Sequence, residues 1–365
     1  MTPLVGPVMV VVQRLAAAVA SLVLASGVGL SAGDDIRGQQ WHLDFLHLDR
    51  AHEISTGKGV IVGVVDTGVD GGHPDLAGQL LRGADFSVEH LSDGLTDRDG
   101  HGTAMAGLIV ANGRAIGVAP GAKVLPVRHS TYSSTALGAD EAVDWAVDHG
   151  VTVLCLALSY PDPDSRLRAA IERAIARDVV VVAAVGNVPD KPGYPALYPG
   201  VVGGVGTDRN GEHARISIVS PAAVLAAPAV DIMTTRSRSV VPSGYGTGTG
   251  TSDATAIIAG VAALVRSKFP DLSAEEVIHR MTATADDRGA PGRDDEYGYG
   301  IVDPVAALTA DVPPLHPPTT PVASPTDASG GGDGSSTPLV VGAGAAIVGV
   351  AILIVVGLVL ALRRR

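Results

Sequence analysis

Four apolar, β-branched runs recur along this chain with stretches of helical periodicity between them, and no other feature narrows the possible folds so far. VIVGVV (60–65) stops at Asp66, and KVLPV (123–127) precedes ADEAVDWAVDHG, which has helical spacing and a closing Gly. VTVLCLAL (151–158) precedes SRLRAAIERAIARD, and DVVVVAAVG (178–186) reads as a fourth strand. Strands that are apolar throughout, rather than at alternate positions, have to be covered on both faces, and the intervening amphipathic helices supply the cover. The expected class is α/β, a doubly wound three-layer sandwich with a mainly parallel sheet. Ser273 and Glu276 form a capping box that opens a later helix, SAEEVIHRMTATA.

The two ends of the 365-residue chain are of a different kind. Residues 1–32 contain Arg14 followed by LAAAVASLVLASGVGLSA, which reads as a secretory signal with a small-residue cleavage region near Ala32. An uncleaved N-terminal anchor is the alternative. Residues 339–362 carry no charge over 24 positions, long enough for a membrane-spanning helix, and Arg363, Arg364 and Arg365 follow as a cytoplasmic tail. That places everything upstream outside the cytoplasm, at the cell membrane. Residues 311–338 are rich first in Pro and then in Gly and Ser, a tether with no means of building a core. An N-terminal extension (33–58) and a catalytic domain (59–310) remain. The formal charge of −12 argues against a nucleic-acid surface. Cys155, the single cysteine, excludes an internal disulfide and a Cys-based metal or redox pair, and its apolar surroundings suggest a buried, inert thiol.

In open α/β sheets, functional groups gather beyond the carboxyl ends of the strands. Asp66 stands at such an end, in VVDTGVD; His101 lies in DRDGHGTAMAGLI; Ser252 lies in GTGTSDATAIIAG, ahead of an apolar helical run. Taken singly, Asp66 is a turn former, His101 one of 11 histidines and Ser252 a helix N-cap. Together they meet one chemical requirement. A serine hydroxyl needs an adjacent base to become a nucleophile, an imidazole takes and returns a proton near neutral pH, and a buried carboxylate holds the imidazole in one tautomer. The glycines let substrate approach the backbone, and a helix start aims N–H groups at a developing oxyanion. Gly102, Ala104, Ala106 and Gly107 would let the His101 helix pack closely.

These stretches, with VVDTGVDGGHPDL and AAVGN, resemble the subtilisin-like serine proteases (subtilases) over about residues 40–308, in the chain order Asp, His, Ser. The spacings of 35 and 151 residues fit that fold. The resemblance implies an endopeptidase working through an acyl-enzyme: Asp66 orients, His101 is base and acid, Ser252 attacks, and Asn187 supplies a side-chain N–H to the oxyanion hole beside the Ser252 backbone N–H. A turn residue after Gly186 is the plainer reading of Asn187. RGQQWHLDFLHLDRAHEISTGKGV before the first strand, with the Pro-rich tether and spanning helix, is similar to the mycosins, membrane-anchored subtilases of actinobacterial type VII secretion systems. This resemblance implies protein or peptide substrates among secreted partners, membrane components of the secretion system as neighbours, and a short extension wrapped on the domain in place of a long propeptide. The alternative role is a structural stabiliser of the secretion complex, with proteolysis secondary.

The chain departs from the family pattern in several places. Many mycosins carry disulfides and this chain cannot; the groove strand that commonly ends Ser-Leu-Gly reads Ala157-Leu158-Ser159; Ala256 replaces a usual Pro; and Asp253 stands where Met or an aromatic is usual. An acidic residue in the first helical turn favours the helix, but its charge lies near the place where the tetrahedral intermediate becomes negative, so Asp253 is expected to restrain activity. Asp93, Asp97 and Asp99 form an acidic loop that could take Ca²⁺, although such loops are more often simply solvated. No spacing identifies a metal site, the Gly-rich run lacks the Lys of a phosphate loop, and no cofactor is expected.

Overall fold

The computed structural model describes residues 35–89, 93–129 and 136–315. The expected signal segment, most of the tether, the spanning helix and the cytoplasmic tail lie outside these residues. Among the described residues no helix is long and apolar enough to cross a membrane.

Seven parallel strands form the central sheet: β1 (Ile61–Asp66), β2 (Ala84–Asp85), β3 (Lys123–Arg128), β4 (Val153–Leu156), β5 (Val180–Ala184), β6 (Val202–Thr207) and β7 (Ala223–Pro228), in the spatial order β2-β3-β1-β4-β5-β6-β7. A separate antiparallel hairpin joins β8 (Ile232–Thr235) to β9 (Tyr245–Gly248). The four strands expected from the apolar runs are β1, β3, β4 and β5, and all residues of β4 and β5 are buried. The chain departs from β1 toward β3 on one side and β4 on the other, so the strand order reverses at β1. That switch point opens a crevice at its carboxyl end, where Asp66 stands.

The N-terminal extension folds as two short helices, α1 (Trp41–Phe45) and α2 (Leu48–Ile54). Its anchorage is specific: Gln40 donates to the Ile116 carbonyl at 2.9 Å and accepts from the Ile116 N–H at 2.9 Å. The Trp41 indole donates to the Val230 carbonyl at 3.2 Å, and the His52 ring bonds the Val118 carbonyl at 2.9 Å. His42, on α1, is fully buried and neither ring nitrogen has a partner; burial lowers its pKa to about 3, helped by the Arg37 charge and opposed by Asp44.

Four longer helices complete the layers. On one side α3 (His101–Val110) packs against α6 (Thr251–Lys268); on the other α4 (Ala139–Asp148) packs against α5 (Ser165–Ala176). All residues of α3 after His101 are buried, as are 15 of the 18 in α6, so these two form the interior layer beneath the site. Strand β6 reads VGGVGT, a weak strand sequence by propensity. The reason lies in packing: a Cβ on Gly204 would come within 2.9 Å of Thr255 Oγ1 and 3.3 Å of Ile258, so glycine lets α6 lie directly on the sheet. Helices α7 (Ala274–Ala283) and α8 (Pro304–Thr309) close the domain, α7 with the expected Ser273–Glu276 capping box. Cys155 is buried and its thiol is pushed well above its ordinary pKa by burial first and by the Asp66 charge second.

Candidate active site

Asp66 ends β1 and is 1% exposed, while His101 opens α3. The His101 ring bonds both carboxylate oxygens through Nδ1, at 2.8 Å to Oδ1 and 2.9 Å to Oδ2. This bond places the Nδ1 proton between the groups and leaves Nε2 for the cleft. The close approach depends on Gly102: a Cβ there would sit 2.1 Å from the Gly68 carbonyl oxygen and 3.1 Å from the Asp66 carboxylate. Gly107 serves the same helix where it meets β8: a Cβ there would sit 2.0 Å from Thr235 Oγ1.

His101, Ser252 and Asn187 line one cleft of about 750 Å³, together with Ala157, Leu158, Ser159 and Gly186. Ser252 is the second residue of α6, and Gly250 is the N-cap, so the N-cap reading of Ser252 does not hold. Its hydroxyl donates to the Ala157 carbonyl at 3.2 Å and does not hydrogen-bond the His101 ring. Serine–histidine bonds of this kind often tighten only when substrate is bound. Asn187 accepts from the Thr251 N–H at 2.9 Å and from the Thr251 hydroxyl at 3.2 Å, both through Oδ1. The amide is fixed in orientation, and its Nδ2 protons have no protein acceptor among the described residues. The Thr251 N–H is used, and the Ser252 N–H, in the first turn of the helix, has no intrahelical partner. Two donors are therefore available beside the serine.

Burial alone would disfavour a charged His101, yet the Asp66 carboxylate and its hydrogen bond, with the charges of Asp253 and Asp99, raise the imidazole pKa to about 9. Asp253 is 4% exposed, not turned to solvent. Burial raises its carboxyl to about 6 against the pull of His101 and Arg236. Its carboxylate packs against β9: a Cβ on Gly248 would lie 3.0 Å from both Asp253 oxygens.

Asp97 is buried, not solvated, and its carboxylate accepts from backbone N–H and threonine groups. Asp99 accepts from the His101 N–H at 3.1 Å, and Asp93 from the Leu95 N–H at 3.2 Å. Among the described residues no group of three or more His, Cys, Asp or Glu side chains is arranged to hold a metal ion. Sequence reasoning overlooked Thr67 and Thr103, which connect Asp97 to the site; the signal available was an Asp four residues ahead of His101.

Comparison with known proteins agrees with this geometry. The sequence profile of the Subtilase family matches residues 57–300. Mycosin-1 of Mycobacterium tuberculosis is 32% identical over 354 residues, covering 80% of this chain and 78% of the relative. Subtilisin DY of Bacillus licheniformis is 34% identical over 262 residues, 69% and 91% of the two chains. Among solved structures, MycP1 with its N-terminal propeptide removed superposes with a TM-score of 0.68 at 30% identity, covering 75% of this chain and 98% of that one. The MycP3 protease from the type VII (ESX-3) secretion system gives 0.66 at 33% identity, covering 74% and 88%. With the strand order, the Asp66–His101 pair and the serine at the start of a buried helix, these likenesses settle the family: the chain belongs to the subtilases, and is a mycosin-like, subtilisin-type serine protease.

Proposed function

We propose that this chain is a membrane-anchored, extracytoplasmic endopeptidase that processes secreted protein partners of a type VII secretion system, with Asp66, His101 and Ser252 as its catalytic residues and Asn187 in its oxyanion hole. The observation that carries the residue roles is the two-oxygen contact of buried Asp66 with His101 Nδ1, in the cleft that Ser252 and Asn187 line. The setting is supported by Mycosin-1 and by two solved relatives described as belonging to type VII secretion systems, and the anchorage by residues 339–362 and the three arginines that follow.

The substrate carbonyl enters the cleft and Ser252 Oγ leaves the Ala157 carbonyl for His101 Nε2. As Oγ bonds the acyl carbon, its proton passes to Nε2, and the carbonyl electron pair moves onto oxygen. Asn187 Nδ2 and the Ser252 N–H donate to that oxyanion, while Asp66 stabilises the imidazolium through Nδ1. The intermediate collapses: the C–N bond breaks and the Nε2 proton goes to the leaving amine. Water then attacks the acyl-enzyme with His101 again as base, which releases the new carboxyl end and restores the serine. The test is covalent labelling of the full-length protein by a fluorophosphonate. Ser252→Ala should abolish labelling and peptide hydrolysis while near-UV circular dichroism is retained; a mutant that labels like wild type overturns the assignment.

A further inference from the structure

Helix α3 begins without a side-chain cap from its own N-cap, Gly100, whose φ is 98°. Its first N–H groups are taken by nearby side chains: Asp99 accepts from His101 N, Thr67 Oγ1 from Gly102 N, and Asp97, which is 3% exposed, from Thr103 N. Asp97 Oδ1 accepts from Gly100 N at 2.8 Å, Asp99 N at 3.0 Å and Thr67 Oγ1 at 2.9 Å. Oδ2 accepts from Thr103 N at 3.0 Å and Thr103 Oγ1 at 2.5 Å. The Asp97 carbonyl is held in turn by the Ser237 hydroxyl at 2.7 Å and the Ser239 hydroxyl at 2.9 Å, from the segment after β8. Thr67 spans the remaining gap. Its hydroxyl, while donating to Asp97, accepts from Gly102 N at 2.9 Å, and its own N–H donates to Asp66 Oδ1 at 2.7 Å. A continuous buried chain therefore runs from Asp97 through Thr67 to Asp66, and from both Asp97 and Thr67 into the first turn of the His101 helix.

We propose that Asp97 is a positioning residue for the hydrolytic reaction: acting through Thr67, it sets the distance and angle between the end of β1, which carries Asp66, and the start of α3, which carries His101. The proposal rests on the assignment of Asp66 and His101 to catalysis. Five donors converge on this one side chain, three of them backbone N–H groups, and a carboxyl offers acceptor lone pairs on both of its oxygens. An amide would turn an N–H₂ toward these donors and leave at least one backbone N–H, that of Thr103 or those of Asp99 and Gly100, without its acceptor. The strand and the helix meet here without any covalent link shorter than the intervening loop, so loosening this junction moves the imidazole relative to the serine. Displacements on the scale of 1 Å cost roughly 10²-fold in rate.

The test measures kcat and KM of the full-length protein on a neutral peptide ester, with rates normalised to the folded fraction. Asp97→Asn should lower kcat roughly 10- to 100-fold, up to the ~10²-fold that a displacement of ~1 Å costs, and leave KM within about twofold. The rest of the cleft wall, apart from His101, Thr251 and Ser252, is formed by other segments, chiefly 157–161 and 184–191. A merely stabilising role would lower the thermal transition and leave kcat per folded molecule unchanged. The Thr67 pair decides the matter if Asp97→Asn does not fold: Thr67→Val removes the bridging hydroxyl at constant shape and should lower kcat likewise, whereas Thr67→Ser keeps the hydroxyl and should restore it. Folded Asp97→Asn or Thr67→Val enzyme with wild-type kcat overturns the proposal. Ser252→Ala is run alongside: its failure to abolish turnover would instead overturn the catalytic assignment on which the proposal depends.

Discussion

Replacing Asp253 by Asn should move the acid limb of the activity profile to lower pH. Asp253 is the third residue of α6, buried beside the nucleophile, and it is one of three carboxylates whose charge raises His101 to about 9. Its own carboxyl titrates near 6, so it is ionised over the range in which His101 gains its basic form. The sign follows directly. His101 must be neutral to accept the serine proton, and with a pKa of about 9 only about one molecule in a hundred qualifies at pH 7. Two unit charges ~8 Å apart at an effective dielectric of ~20 interact by roughly 2 kcal/mol, equivalent to about 1.5 pH units. The His101 side chain is 27% exposed, and solvent reduces this to roughly 0.5–1 unit. The neutral fraction at pH 7 then rises about 3- to 10-fold. Removal of the charge also relieves repulsion of the oxyanion, which acts in the same direction. The assay is kcat/KM on a small neutral peptide ester between pH 5 and 10 at low and high salt, with Asp253→Asn compared with wild type. The midpoint should fall and the gain at pH 7 should be larger at low salt. A midpoint that stays in place or rises at both salt levels refutes the reasoning, and a loss confined to basic substrates would assign Asp253 to recognition instead.

Other outcomes follow from the same structure and sequence. His42 is buried without a partner and titrates at about 3 against an ordinary 6.5, so the neutral ring favours the folded state above pH 6.5 and this stability is lost as pH falls toward 3. At 1.36 kcal/mol per unit the full loss is on the order of 5 kcal/mol, and His42→Leu should flatten the decline in thermal transition between pH 6 and 4; an identical decline would exclude the residue as its source. External protease on spheroplasts should release the catalytic domain by cutting within 311–338, and protection until lysis would contradict the expected topology. Deletion of the gene should block secretion of its partners. If Ser252→Ala, stably expressed, restores secretion, a scaffold role is the essential one; if it does not, proteolysis is.

Much of this protein is written locally. Fully apolar runs such as VVVVAAV announce a sheet buried on both faces, and they marked β1, β3, β4 and β5 because burial on both sides leaves no polar alternation to read. Ser273 and Glu276 announced a helix start because a capping box is satisfied within four residues. The three candidate catalytic residues were legible from their Gly-rich settings and chain order. Strand β6 was not, since VGGVGT acquires its conformation from the helix that its glycines admit. Nor could sequence tell that Ser252 leaves the N-cap to Gly250, or that Asp97 and Asp253 turn inward. Periodicity and propensity report the surroundings of a residue along its own element. Whether a carboxylate faces solvent, an imidazole or five converging donors depends on how distant segments cross, and only the packed tertiary structure decides that.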